Sequence, residues 1–227
     1  MLVWHFGLPD AQLRRYVEEV WKLHQDHATE SRFPEWSLQQ LDLEWMTEVP
    51  SSNEVGLYRI SCPYAKWLLA HTEDKEGKTL ECLAQYLIGA MPGCRALLRV
   101  KSEVSDYDVV GVFEGSFMDF RSELGRYFLV ECKDWSRPAD FTTVAKFCRV
   151  LDSAKCRFGI LFSREGVSGQ EGTRFAQREI VKVFQDRGVV IVVVTKADLD
   201  AVANGANFVT MLRSKYERVR LDLLGSV

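Results

Sequence analysis

Two unbroken apolar runs, Phe158-Gly159-Ile160-Leu161-Phe162 and Val189-Val190-Ile191-Val192-Val193-Val194, most narrow what this chain can fold into. A strand without a polar position is buried on both faces, which places it inside a sheet covered by helices. Between the two runs Phe175, Ala176, Ile180, Val183 and Phe184 recur at helical spacing, and Gly188 comes next as a left-handed helix stop. Two buried strands joined through a helix form a right-handed parallel crossover.

Upstream, three further strands are expected at Ala96–Val100, Asp108–Phe113 and Tyr127–Lys133, the last two joined by a polar hairpin. Antiparallel strands early and a parallel unit late give an α/β fold with a mixed β-sheet flanked by helices. The helices are legible as stripes. Thr79 is placed as the cap of one whose buried side is Leu80, Leu83, Ala84, Leu87 and Ile88, stopped by Pro92-Gly93. Asp140 caps another with Val144, Phe147, Cys148 and Leu151 inward, and a last helix carries Phe208, Val209, Leu212, Tyr216, Val219 and Leu223.

The first part of the chain has a different texture. It is rich in tryptophan and acids, without a convincing strand, and is divided here as residues 1–73, an N-terminal helical appendage, against 74–227, the main domain. Expected helices start after Asp10 and run from Ser37 through Leu38, Leu41 and Trp45 to Met46. The polar run Glu73-Asp74-Lys75-Glu76-Gly77 marks the break.

Charge excludes little. Residues 1–73 hold 6 basic and 11 acidic side chains and residues 74–227 hold 23 and 21, too even a balance to imply a polyanion partner. Six cysteines lie scattered without a C-x-x-C pair, which argues against structural zinc, and Cys82, Cys132 and Cys148 read as small core hydrophobes. No leader peptide and no membrane-length apolar run are found, so a cytoplasmic location with reduced thiols and no membrane partner is expected.

The chemistry concentrates where the run Tyr127-Phe128-Leu129-Val130 ends in Glu131-Cys132-Lys133. Alternation along a strand puts Glu131 and Lys133 on one face and Cys132 on the other. An isolated carboxylate or ammonium beside a core is costly unless it meets a partner, an ion or a substrate. Asp108 opens the neighbouring run Val109-Val110-Gly111-Val112-Phe113, and two strands of this length can bring it level with Glu131. Carboxylate oxygens suit magnesium or manganese, the Cys132 carbonyl is a third candidate ligand, and the Lys133 ammonium can position or deprotonate a water. The alternative is a strand-end salt bridge. Asp106 rivals Asp108 for the metal, being two residues away and on the same strand face; Asp108 is preferred because the apolar run begins immediately after it. No histidine lies within residues 74–227, so base work there falls to lysine, carboxylate or metal-bound water.

Taken with their order of helices and strands, the segments Tyr107-Asp108-Val109-Val110-Gly111, Phe128 to Trp135 and Phe158 to Gly166 resemble the PD-(D/E)XK restriction-endonuclease-like superfamily, in particular its Mrr-like branch. The resemblance covers roughly residues 74–200. It implies a restriction-endonuclease-like core, an active site of Asp108, Glu131 and Lys133, and a supporting glutamate on the preceding helix, for which Glu81 is the fitting position. It further implies a magnesium-dependent (or manganese-dependent) endonuclease acting on DNA, with RNA as the other substrate of the family, in restriction or anti-phage defence. Tyr107 stands where the family's motif has proline. Further partners considered are a second copy, giving a homodimer, and a sensor domain. The alternatives in function are an inactive nucleic-acid or protein-binding module of the same fold, and the effector domain of a larger defence protein.

Other charged groups have plainer readings. Lys146 and Arg149 are read as a solvated helix face, as is the C-terminal set Arg213, Lys215, Arg218 and Arg220, interleaved with acids such as Glu217. Ser163-Arg164-Glu165-Gly166-Val167-Ser168-Gly169 is read as a mobile connection, with Arg164 a candidate backbone contact; Lys196 is read as helix-start surface charge or a substrate contact. His24 and His27 are read as surface residues.

Overall fold

The computed structural model describes residues 46–48, 58–72, 78–91, 93–101, 106–114, 124–133, 137–168 and 175–221. The expected helix after Asp10 and the two histidines lie outside them. A short antiparallel pair, β1 (Met46–Glu48) and β2 (Arg59–Ser61), leads into α1 (Cys62–Ala70) and α2 (Lys78–Gly89). Then come β3 (Cys94–Lys101), β4 (Asp106–Phe113), β5 (Tyr127–Cys132), α3 (Phe141–Ser153) and β6 (Phe158–Phe162). The chain closes with α4 (Phe175–Arg187), β7 (Val190–Val194), α5 (Lys196–Ala203) and α6 (Phe208–Arg220).

Strands β3 to β7 form one sheet in chain order. β3, β4 and β5 are antiparallel neighbours, whereas β5, β6 and β7 run parallel through the α3 and α4 crossovers. This is the expected α/β fold, a mixed sheet flanked by helices. Every residue of β6 is buried, as its composition requires. The three parallel strands end along one edge, and the segments leaving them lie side by side there.

Local chemistry explains where most elements begin and stop. Asp140 accepts from Thr143 N at 2.8 Å and caps α3, and Gly188 takes φ 65° after α4. Thr195 and Asp198 form a reciprocal capping box on α5. Thr79 is not a cap: α2 has already begun at Lys78, and Thr79 is buried inside its first turn. The stripe assigned to α2 is buried, and so are Cys82, Gln85 and Tyr86 on its other side.

Gln85 donates to Ala96 O on β3 at 3.4 Å, and residues 58–72 cover Tyr86. Tyr58, Ile60, Tyr64, Ala65 and Leu68 belong to the same core as the sheet. Tyr64 meets the Tyr86 ring edge-on at 4.9 Å, and the Ser61 amide donates to the Tyr86 hydroxyl at 2.7 Å. Met46, expected to end a helix, instead begins β1, and β1 with β2 corrects the strand-free reading of this part of the chain. Helix α1, unmarked by a long apolar stripe, is set by the Ser61 cap and a proline in its first turn.

One glycine decides the packing of the sheet's centre. Gly111 faces Phe128 across the β4–β5 pair, and a Cβ there would lie 2.0 Å from the Phe128 ring. Phe128 also meets Phe113 at 4.8 Å and Phe158 at 5.5 Å, so it has no room to retreat. Gly111→Ala is expected to lower stability by about 1–3 kcal/mol through overpacking, read as a fall in the urea midpoint; Phe128→Leu in the same chain should recover part of that loss.

Candidate active site

The register of the sheet assembles the three charges. β4 and β5 pair up to Val109 with Val130, so Asp108 stands opposite Glu131 one step further on. Opposed residues of an antiparallel pair project from the same face. Here the ladder is closed by a side chain: the Cys132 amide donates to Asp108 Oδ2 at 2.7 Å. On the other flank β6 carries the end of β5, with Glu131 in register with Leu161 and the Lys133 amide donating to Phe162 O at 3.0 Å. Strand β5 ends at Cys132, one residue earlier than expected, yet Lys133 still turns to the Glu131 face and its ammonium contacts Glu131 Oε1.

Burial and like charge set the proton affinities. Asp108 is pushed up from 3.8 to about 6, first by burial and then by the Glu131 carboxylate, with Glu81 adding to it; the Cys132 amide and Lys133 pull the other way. For Lys133 burial is the largest influence and favours loss of the proton. The hydrogen bond and charge of Glu131, with the Asp108 charge, outweigh it and raise the ammonium above its ordinary value. Lys133 is therefore a cation at neutral pH, suited to orienting a water or an oxyanion rather than to removing a proton. Burial also pushes the Cys132 thiol well up. The thiol stays neutral, and any hard-metal ligand at this position is the carbonyl.

The rival acid is separated from this group. Asp106 begins β4 exposed, paired in register with Lys101, whereas Asp108 is half-buried and interacts with Glu131, Glu81 and Lys133. Glu81, in the first turn of α2, reaches the same neighbourhood and accepts from Arg99 Nε at 2.5 Å.

Nothing in the sequence singles out Arg99, which only interrupts the apolar character of the run Ala96-Leu97-Leu98. It lies on β3 at the position facing Asp108 in the β3–β4 register, and its φ is +51°. A non-glycine residue in that region costs about 1–3 kcal/mol and is held only by its surroundings. The turned backbone brings the guanidinium to Glu81. The group thus comprises Asp108, Glu131, Lys133, Glu81 and Arg99, with three carboxylates against two cations.

This donor set suits a hard cation. Two carboxylates held close enough to raise one proton affinity leave negative charge that a divalent ion would relieve, and magnesium ordinarily takes only one or two carboxylates. Among the described residues no His, Cys, Asp and Glu side chains gather as a closed metal cage of three or more, so waters or substrate would complete the sphere.

The remaining candidates lie elsewhere. Lys146 and Arg149 are exposed on α3, and Lys215 on α6 is 2.8 Å from Asp198. Leu223 falls outside the described residues. The segment after β6, expected as a mobile connection, carries hydrogen bonds of its own over Ser163 to Ser168. Ser163 Oγ donates to Gly166 O at 2.7 Å, and Ala139 and Ser168 bond across to one another's loops.

No protein-family model matches the chain, and no curated protein matches it. Among solved structures it is similar to the DNA modification-dependent restriction endonuclease AspBHI, at 13% sequence identity and a TM-score of 0.34. That likeness covers 77% of this chain and 42% of the other, so the chain spans less than half of that structure. Among the described residues no helix is long and apolar enough to cross a membrane.

An acid whose proton is held more tightly in the folded than in the unfolded chain favours folding at low pH, and the advantage fades as pH rises from about 4 through 6. The shift of Asp108 corresponds to about 3 kcal/mol at most. Asp108→Asn should therefore raise the melting temperature at pH 7.5 and raise it markedly less near pH 4.5. Millimolar magnesium or manganese should raise the melting temperature of the unaltered protein at pH 7.5 but not that of the variant; scanning calorimetry across pH, with and without the ion, reads both.

Proposed function

We propose that the chain is a metal-dependent endonuclease that hydrolyses phosphodiester bonds in DNA, of the PD-(D/E)XK type and nearest to its Mrr-like branch. Restriction or another defence against foreign DNA is the role that this reading implies. The observation that carries it is the meeting of Asp108, Glu131 and Lys133 at one sheet edge, bound together by the Cys132 amide on Asp108 Oδ2. Asp108, Glu131 and the Cys132 carbonyl would hold magnesium or manganese, which when bound supplies charge stabilisation at a phosphoryl oxygen and a more acidic water.

The side chains divide the remaining work. Glu131 fixes the Lys133 ammonium, which donates to the attacking water and holds it in line with the phosphorus. As charge builds on the phosphoryl oxygens, the same ammonium offsets it. Asp108, held by a backbone amide rather than by a flexible partner, keeps its free oxygen in a constant position. Glu81 supports the site from α2, and Arg99 holds Glu81.

A second reading is an inactive nucleic-acid-binding module of the same fold. One observation favours it: Glu131 and Lys133 already pair with each other, as do Glu81 and Arg99. The two readings separate in a nuclease panel of supercoiled plasmid, linear duplex, single strand and RNA, each with and without magnesium. The endonuclease reading expects metal-dependent nicking of plasmid, reduced at least about 100-fold by Lys133→Ala or Asp108→Asn. Equal cleavage by Lys133→Ala rules out the mechanism, and binding without cleavage under every condition favours the module.

A further inference from the structure

The strand-end edge that bears the three charges has a basic concavity two strands along. A cavity of about 440 Å³ opens between α1, α5 and the turn after β6, lined by Lys66, Thr72, Arg164, Lys196, Asp200 and Asn204, with Leu69, Ala70 and Ala203 as its apolar part. Its size falls within the range of small-ligand clefts. Three of its side chains are cationic and one is acidic, so the lining as a whole is positive. Asp200 lies 2.7 Å from Lys196, and Glu165, 3.3 Å from Arg164, is exposed and outside the lining.

The cavity's framework is tied to the sheet. Arg164 comes just after the end of β6 and Lys196 just after the end of β7, and the Lys196 amide donates to Arg164 O at 3.1 Å. The Ser163 amide donates to Val194 O at 2.9 Å, joining the same two strand ends. On the other side the Ala139 amide donates to Gly166 O at 2.9 Å, which links the Arg164 turn to the segment leading from Lys133 into α3. With strands about 4.8 Å apart, the ends of β5 and β7 lie roughly 10 Å from one another. That is roughly three nucleotide steps along a duplex axis.

We propose that this cavity is an anion site that takes the phosphate of a nucleotide, with Lys66, Arg164 and Lys196 as the donors and the Leu69, Ala70 and Ala203 surface against the sugar or base. A polynucleotide backbone and a free nucleotide carry the same group. The position on the same strand-end edge as Glu131 and Lys133 favours a backbone phosphate flanking the one to be cut. The flanking role rests on the endonuclease reading; the anion site does not.

The test uses the full chain in EDTA, where no cleavage occurs, with a labelled DNA duplex in one arm and deoxyadenosine monophosphate in the other. Lys66→Glu and Arg164→Gln are each expected to weaken duplex binding about tenfold and to reduce the dependence of log K on log salt by about one. Lys66→Arg should restore both, and an unchanged melting temperature shows that the fold persists. Loss confined to the mononucleotide arm supports the anion site and assigns it to free nucleotides, while plasmid nicking separately decides the endonuclease reading. Unaltered affinity for both probes in Lys66→Glu and in Arg164→Gln overturns the proposal.

Discussion

The hydrogen bond from the Cys132 amide to Asp108 is the contact on which the site's geometry depends. Strands β4 and β5 stop pairing at Val109 and Val130, and a carboxylate takes over the role of the next ladder bond. Because the donor is backbone, the carboxyl is oriented by the sheet itself and not by another mobile side chain. Slipping this pair by one residue would turn Asp108 to the opposite face from Glu131. The register that prevents the slip is enforced by Phe128 lying over Gly111, buried in the sheet. Core packing and site geometry are the same constraint seen at two places along one strand pair.

Much of this is legible because burial leaves a strong imprint on strands. Phe158–Phe162 and Phe128–Val130 read as interior from composition alone, although Tyr127 at the head of the second run is exposed, and the caps at Asp140 and Gly188 from single residues with one physical purpose. Helices α1 and α5 escape a reading by pattern for a complementary reason. At nine and eight residues they are too short for a periodic stripe, and their starts depend on Ser61 and Thr195, which look like ordinary loop polars until their bonds are visible. Thr79 misleads because hydroxyl residues are common one step inside a helix as well as at its cap. Arg99 is illegible: its partner is Glu81 on another element, and a backbone angle leaves no mark in residue type.

The electrostatics refine the chemistry beyond what spacing could say. An acid and a lysine two apart on a strand suggest either a base or an anchor. The Glu131 contact raises the lysine's proton affinity against the opposing effect of burial, which suits the anchor role proposed for it. The same surroundings raise Asp108, so the folded chain without a cation is under tension at neutral pH at the place where a cation would bind. On the proposed reading, the instability of the unoccupied group and its affinity for a cation would have one origin.

Position 99 takes a different kind of tension. Its backbone occupies a region that glycine enters freely and arginine does not, and the side chain thereby presented meets Glu81. A library sorted for heat resistance and one sorted for the proposed cleavage would therefore pull this residue in opposite directions, the first toward glycine and the second toward keeping the guanidinium.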